Sequence, residues 1–202
     1  MNKSEKSLLS QRDYTHLPFP HFSANQVFED ELASNLLSWL KSCGYWYFTE
    51  TSFYMQYEFS LLDISLPKPL HSLVNEDFTD KIGQIIQETF AVENLDLVGI
   101  TAHKLINGYR MGVHNDLIGK EETHRLVIQL NDGWNEHNGG YLMLFNSNDP
   151  NDVARLVMPI HNSGIGFEIS SKSYHAVSTI YDFERYTLVY TFNSHKIQHA
   201  AG

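Results

Sequence analysis

From residue 97 onward the chain becomes a succession of short strand-like runs separated by turn residues. This limits it to a two-sheet or closed β architecture. The runs fall at 97–107, 109–114, 125–130, 141–145, 154–159, 166–169, 175–180 and 186–192, with Asn131-Asp132-Gly133 and Asn138-Gly139-Gly140 as turn markers between them. That many short strands at close spacing predict a sandwich or barrel. Upstream, Phe28, Leu32, Leu36, Trp39 and Leu40 recur at helical spacing before Gly44, which predicts a helix from Ser23 or Asn25 to Ser42. A second helix is predicted over 76–90 from Phe78, Ile82, Ile85, Ile86 and Phe90, and the aromatic-rich stretch 45–62 suits strands. Residues 1–22, broken by Pro18 and Pro20, read as a flexible arm. The expected organisation is one mainly β domain over 1–202. It comprises the arm, a helical and aromatic-strand support at 23–92, and a jelly-roll core at 97–193.

Bulk properties exclude several function classes. The net charge of −10 would repel a nucleic-acid backbone, so no general nucleic-acid binding is expected, although one base in a pocket stays compatible with it. Cys43 is the single cysteine, which rules out an intramolecular disulfide, a zinc ribbon and an iron–sulfur cluster. Residues 1–11 are polar, with Lys3, Glu5 and Lys6, and do not read as a signal peptide. No window approaches the roughly 20 apolar residues of a membrane span. A cytoplasmic location with no membrane partner is the expectation.

Two histidines and a carboxylate can take one face of an Fe(II) ion and leave the other open. His114-Asn115-Asp116 followed by His175 supplies that set, with Arg185 ten residues later. Side chains at i and i+2 of a strand share a face, so His114 and Asp116 at a strand end are expected to grip one ion together. A lone His-x-Asp is weak evidence, and alone it reads as a surface histidine beside a turn aspartate. Arg185 alone reads as a surface arginine paired with Glu184 or Asp182, and His103, His124, His137 and His161 read as loop or internally satisfied histidines.

Taken in order, the segments Tyr109-Arg110-Met111-Gly112-Val113-His114-Asn115-Asp116, Thr123-His124-Arg125-Leu126-Val127-Ile128-Gln129-Leu130-Asn131, Gly139-Gly140-Tyr141-Leu142, Tyr174-His175-Ala176-Val177 and Arg185-Tyr186-Thr187-Leu188 resemble the prolyl-4-hydroxylase-like branch of the Fe(II)/2-oxoglutarate dioxygenases. The resemblance spans residues 97–193 and implies a double-stranded β-helix (jelly roll) buttressed by N-terminal helices. It implies Fe(II) held by His114, Asp116 and His175, and 2-oxoglutarate held by Arg185 with Thr187 and Gln129. Dioxygen would be the second cosubstrate and ascorbate a candidate reductant. Leu105 stands where many relatives carry a tyrosine near the cosubstrate. Arg125 follows the family's structural arginine and is left out of the site. Asp116 fills the position that related halogenases leave open, which points to hydroxylation, desaturation or cyclisation.

A peptide, protein or small-molecule substrate is implied, chosen by loops at the barrel mouth: 117–123, 45–59 and 134–138. The Gly139-Gly140 pair reads as a turn and not a phosphate loop. A cupin-like metal jelly roll, acting as isomerase or ligand sensor, is the alternative. Cupins usually carry a His-x-His pair, which this chain lacks. The sequence does not fix the oligomeric state.

Overall fold

The computed structural model describes residues 8–9, 11–117 and 121–194. Among the described residues, twelve strands form two antiparallel sheets. In chain order they are β1 (Arg12–Thr15), β2 (His21–Ala24), β3 (Tyr47–Glu50), β4 (Met55–Ser60), β5 (Leu95–Leu105), β6 (Met111–His114), β7 (His124–Gln129), β8 (Leu142–Phe145), β9 (Val153–Val157), β10 (Ser163–Glu168), β11 (His175–Val177) and β12 (Arg185–Ser194). The larger sheet runs β1-β2-β10-β7-β12-β5-β4-β3 and the smaller β6-β11-β8-β9. Helices α1 (Asp30–Ser42) and α2 (Glu76–Phe90) complete the fold. The mainly β jelly roll with supporting helices is therefore as expected. The arm is corrected: part of 1–22 supplies β1 and β2, and β2 pairs along β10 from Ala24 opposite Gly164 to His21 opposite Phe167. Prolines 18 and 20 fall between the two strands, where no ladder hydrogen bond is needed. The first helix also begins later than the spacing predicts, at Asp30.

Alternation along the strands divides the larger sheet into two faces. Leu126, Ile128, Leu188, Tyr190, Ile100 and Ala102 pack with Leu36 and Leu40 of α1 and Ile82 and Ile86 of α2 in one core. Each fully buried Leu or Ile among them contributes about 1.5–3 kcal/mol. The opposite face carries Leu105, Ile165 and Phe167, which meet Leu142, Leu144 and Val177 of the smaller sheet in a second core. By the same alternation, Arg125, Val127 and Gln129 of β7 and Arg185, Thr187 and Val189 of β12 face the space between the sheets. Close approach is needed where β2 crosses β10: a Cβ on Gly166 would lie 2.2 Å from the Phe22 ring.

His124 sits on the helical side with its ring 5.2 Å from that of Phe90. It is 3% exposed, and Nε2 has no hydrogen-bond partner. Burial pushes its pKa down to about 4. Because the folded value lies below the unfolded one, its contribution is complete above about pH 6.5 and is lost as pH falls towards 4. Denaturant unfolding should therefore show stability falling by about 2–3 kcal/mol over that window. The His124→Phe protein should lose less over the same range, and identical slopes for the two proteins would refute the assignment.

Candidate metal centre

β6 and β11 lie side by side in the smaller sheet with His114 opposite His175, and their ring centroids are 4.2 Å apart. Each imidazole is fixed from behind. The Nδ1 of His114 donates to the carbonyl of Gly112 at 2.8 Å, and that of His175 to the carbonyl of Ser173 at 2.8 Å. A carbonyl can only accept, so the neutral rings keep their Nε2 lone pairs for a shared point in front. Asp116 reaches that point from just beyond β6. Its Oδ1 lies 3.4 Å from His114 Nε2 and its Oδ2 3.2 Å from His175 Nε2.

The strand expected to carry both His114 and Asp116 ends at His114. Asp116 instead turns through a left-handed backbone conformation, φ +60°, which aspartate tolerates better than most residues. Ser173 Oγ donates to the carbonyl of Asn115 at 2.9 Å, tying this turn to the approach of β11. The three candidate ligand atoms lie within 4.8 Å of one another, a spacing that one metal ion can span. Asp116 Oδ2 is buried and makes no aligned hydrogen bond, so a lone pair stays open to a metal ion.

Sequence reasoning left Arg125 out of this site, and the structure puts it in. Its Nη1 lies 2.8 Å from Asp116 Oδ2 in an ion pair whose N–H is not aligned as a hydrogen bond, and its Nη2 lies 2.5 Å from Glu122 Oε2. The guanidinium thus shares its charge between two carboxylates and leaves a lone pair of Asp116 available. Spacing alone could not signal this, because residues 116 and 125 meet only through the barrel.

Arg185 is 3% exposed, and its Nε has no partner. The pairing with Glu184 suggested by the sequence does not form: the Glu184 carboxylate accepts from the Tyr186 hydroxyl instead. No ion pair reaches Arg185 among the described residues, and burial pushes its pKa down to about 10. Gly139 and Gly140, at φ +63° and +71°, make the turn expected of them, and a Cβ on Gly140 would lie 3.0 Å from Arg185 Cδ. Bare backbone there makes room for the arginine stem.

Thr187 and Gln129 sit opposite one another on β12 and β7, each 1% exposed. The Gln129 Nε2 is buried without a partner, while its Oε1 lies 3.5 Å from Asn131 Nδ2. A buried cation, an amide donor and a hydroxyl on one inward face suit a carboxylate ligand. Leu105 faces Arg185 in register and supplies only an apolar wall.

His103, read from sequence as a plain histidine, lies opposite Thr187 on this same face. Burial and then the charges of Arg125 and Arg185 push it down to about 3, against an opposing pull from Asp116. One ring therefore lies within the fields of both the triad side and the Arg185 side. At the mouth, Phe53 packs 5.1 Å from the His114 ring, and Phe167 packs 5.1 Å from that of His175 on the inner side. Of the loop expected at 117–123, Ile118, Gly119 and Lys120 lie outside the described residues. A groove of about 540 Å³ lined by Lys41, Asn131, Asp182 and Glu184 contains none of the triad.

Residues 100–192 match the family described as the 2OG-Fe(II) oxygenase superfamily, a segment that holds every residue of the site. No curated protein matches the sequence. Among solved structures, a prolyl-4-hydroxylase from Pseudomonas putida is similar at 16% identity and a TM-score of 0.69, over 87% of this chain and 93% of that one. A prolyl hydroxylase from Trichoplax adhaerens, in complex with a peptide fragment of the hypoxia inducible factor oxygen degradation domain, is 12% identical with a TM-score of 0.63. The match covers 86% of this chain and 83% of that one. HygX from Streptomyces hygroscopicus, with nickel and 2-oxoglutarate bound, is 11% identical with a TM-score of 0.63, over 86% and 82%. At these identities the likeness shows a shared fold. The segment that matches the 2OG-Fe(II) oxygenase superfamily model is thus the one that carries the site. No helix among the described residues is long and apolar enough to cross a membrane.

Proposed function

We propose that this protein, whose residues 100–192 match the 2OG-Fe(II) oxygenase superfamily, is a dioxygenase that hydroxylates an amino-acid residue of a peptide or protein, or a small metabolite, releasing succinate and carbon dioxide. The observation that carries the reading is a buried Arg185 guanidinium with no ion pair among the described residues, in the same jelly roll as a triad whose ligand atoms converge. A buried cation without an anion is costly unless a ligand completes it.

In this reading His114 Nε2, His175 Nε2 and an Asp116 oxygen hold Fe(II). Arg185 pairs with the distal carboxylate of 2-oxoglutarate, with Thr187 and Gln129 completing its polar contacts. Bound iron and keto acid supply the oxidising power for an unactivated C–H bond. The chain's own part is placement. The carbonyls of Gly112 and Ser173 set the two imidazoles, Arg125 steadies the Asp116 carboxylate, and the core around Phe167 and Leu144 keeps bulk water from one side of the site. The two helices and the jelly roll act as one catalytic domain.

A prolyl hydroxylase in complex with a peptide fragment among the similar folds makes a peptide the first class to screen. Incubation with Fe(II), 2-oxoglutarate, ascorbate and a peptide panel should give succinate in step with a substrate that gains one oxygen atom. Substrate oxidation that proceeds without 2-oxoglutarate would reject the proposal.

A further inference from the structure

One row of register partners crosses the larger sheet, from the buried Gln129 and Thr187 to the 55% exposed Tyr47 at its edge. Tyr47 stands opposite Glu58, Glu58 opposite His103, His103 opposite Thr187, and Thr187 opposite Gln129. Its Gln129–Thr187 end belongs to the cosubstrate side in the reading above. With strands about 4.8 Å apart, Glu58 lies roughly 10 Å further along the row.

The Glu58 carboxylate is held only by neutral groups. Thr49 Oγ1 donates to Oε1 at 2.8 Å, and Gln56 Nε2 donates to Oε2 at 2.5 Å. His103 Nε2 is 3.9 Å away, beyond hydrogen-bond reach, and its depressed pKa keeps it neutral at physiological pH. A second acceptor adjoins it on the same strand face. Gln56 is 3% exposed, its amide orientation is fixed by donation to Glu58, and its buried Oε1 has no partner. Tyr47 and Tyr54 have their phenols raised by burial and then by the Glu58 charge, and Tyr54 also feels Arg125 and Asp116. Tyr54 therefore lies within the fields of both Glu58 and the triad side. With Arg125 shared by Asp116 and Glu122, Glu58 has no Lys or Arg in an ion pair among the described residues.

We propose that Glu58, Gln56 and the Tyr47 and Tyr54 rings form a substrate subsite for a cationic group, an ammonium or guanidinium, that positions its carrier for oxidation at the triad. A cation gains the carboxylate and the orphaned Gln56 acceptor together, and aromatic rings favour it further. A neutral substrate would leave the Glu58 charge without an opposite. The inference rests on the dioxygenase reading of the same site.

The test uses the anaerobic Fe(II)–2-oxoglutarate complex of the full chain, followed by its visible absorption band. N-acetyl-lysinamide and N-acetyl-argininamide are titrated beside their neutral counterparts, N-acetyl-norleucinamide and N-acetyl-citrullinamide. A cationic probe should perturb the band with affinity at least about tenfold above its neutral partner. Glu58→Gln should bring the pair to parity while the band itself persists. Equal affinities, or no perturbation by any probe while the band is present, would overturn the cation subsite and leave the dioxygenase reading standing. Absence of the band would overturn both.

Discussion

Asp116→Ala should lower 2-oxoglutarate turnover at least about 100-fold and weaken divalent-metal binding by a similar factor. Losing only an outer partner of a metal ligand costs 10–100-fold in typical sites, so about 100-fold is a lower bound for losing the ligand itself. The substitution acts twice here. It removes the oxygens lying 3.4 and 3.2 Å from the two imidazole Nε2 atoms, and it frees one arm of Arg125. A guanidinium beside the metal position then adds repulsion to the lost ligand. Metal affinity measured by competition with a chromophoric chelator, alongside succinate release, checks both effects. Unchanged turnover would remove Asp116 from the triad.

Arg185→Met should move stability in opposite directions with and without cosubstrate. In the protein alone, the buried guanidinium has no ion-pair partner among the described residues. Replacing it with an apolar side chain of similar length should stabilise the fold by about 1–3 kcal/mol. With 2-oxoglutarate and a metal present at about 100 times the dissociation constant, the wild-type protein should gain about 2.7 kcal/mol, and the variant should gain little. Thermal unfolding of both proteins with and without the keto acid reads all four states. A destabilised variant that keeps the ligand-induced gain would make Arg185 a structural residue.

The strand pattern and α2 were legible because each has one strong period, 2 or 3.6, and α2 is closed by Asn75 at its start and a left-handed Ala91 at its end. The candidate triad was legible through the ordered segments around it, because a lone His-x-Asp is weak evidence. The contacts of Arg125 and His103 were not legible. Both depend on register between strands far apart in sequence, such as Thr187 against both Gln129 and His103. The turn at Asp116 was hidden for a local reason: i, i+2 reasoning assumes an extended backbone, and the chain leaves it at that residue. The N-terminal strands escaped because Pro18 and Pro20 resemble an unstructured arm, while β2 gains its order only by pairing with β10.

The most direct test of the central claim is an anaerobic titration of metal-free protein with Fe(II) and 2-oxoglutarate, watched by visible absorption. A weak charge-transfer band should form only when both are present, and should be lost in His175→Ala and Arg185→Ala. Iron binding with no band on addition of 2-oxoglutarate would contradict the claim and favour a metal-binding jelly roll with a different ligand.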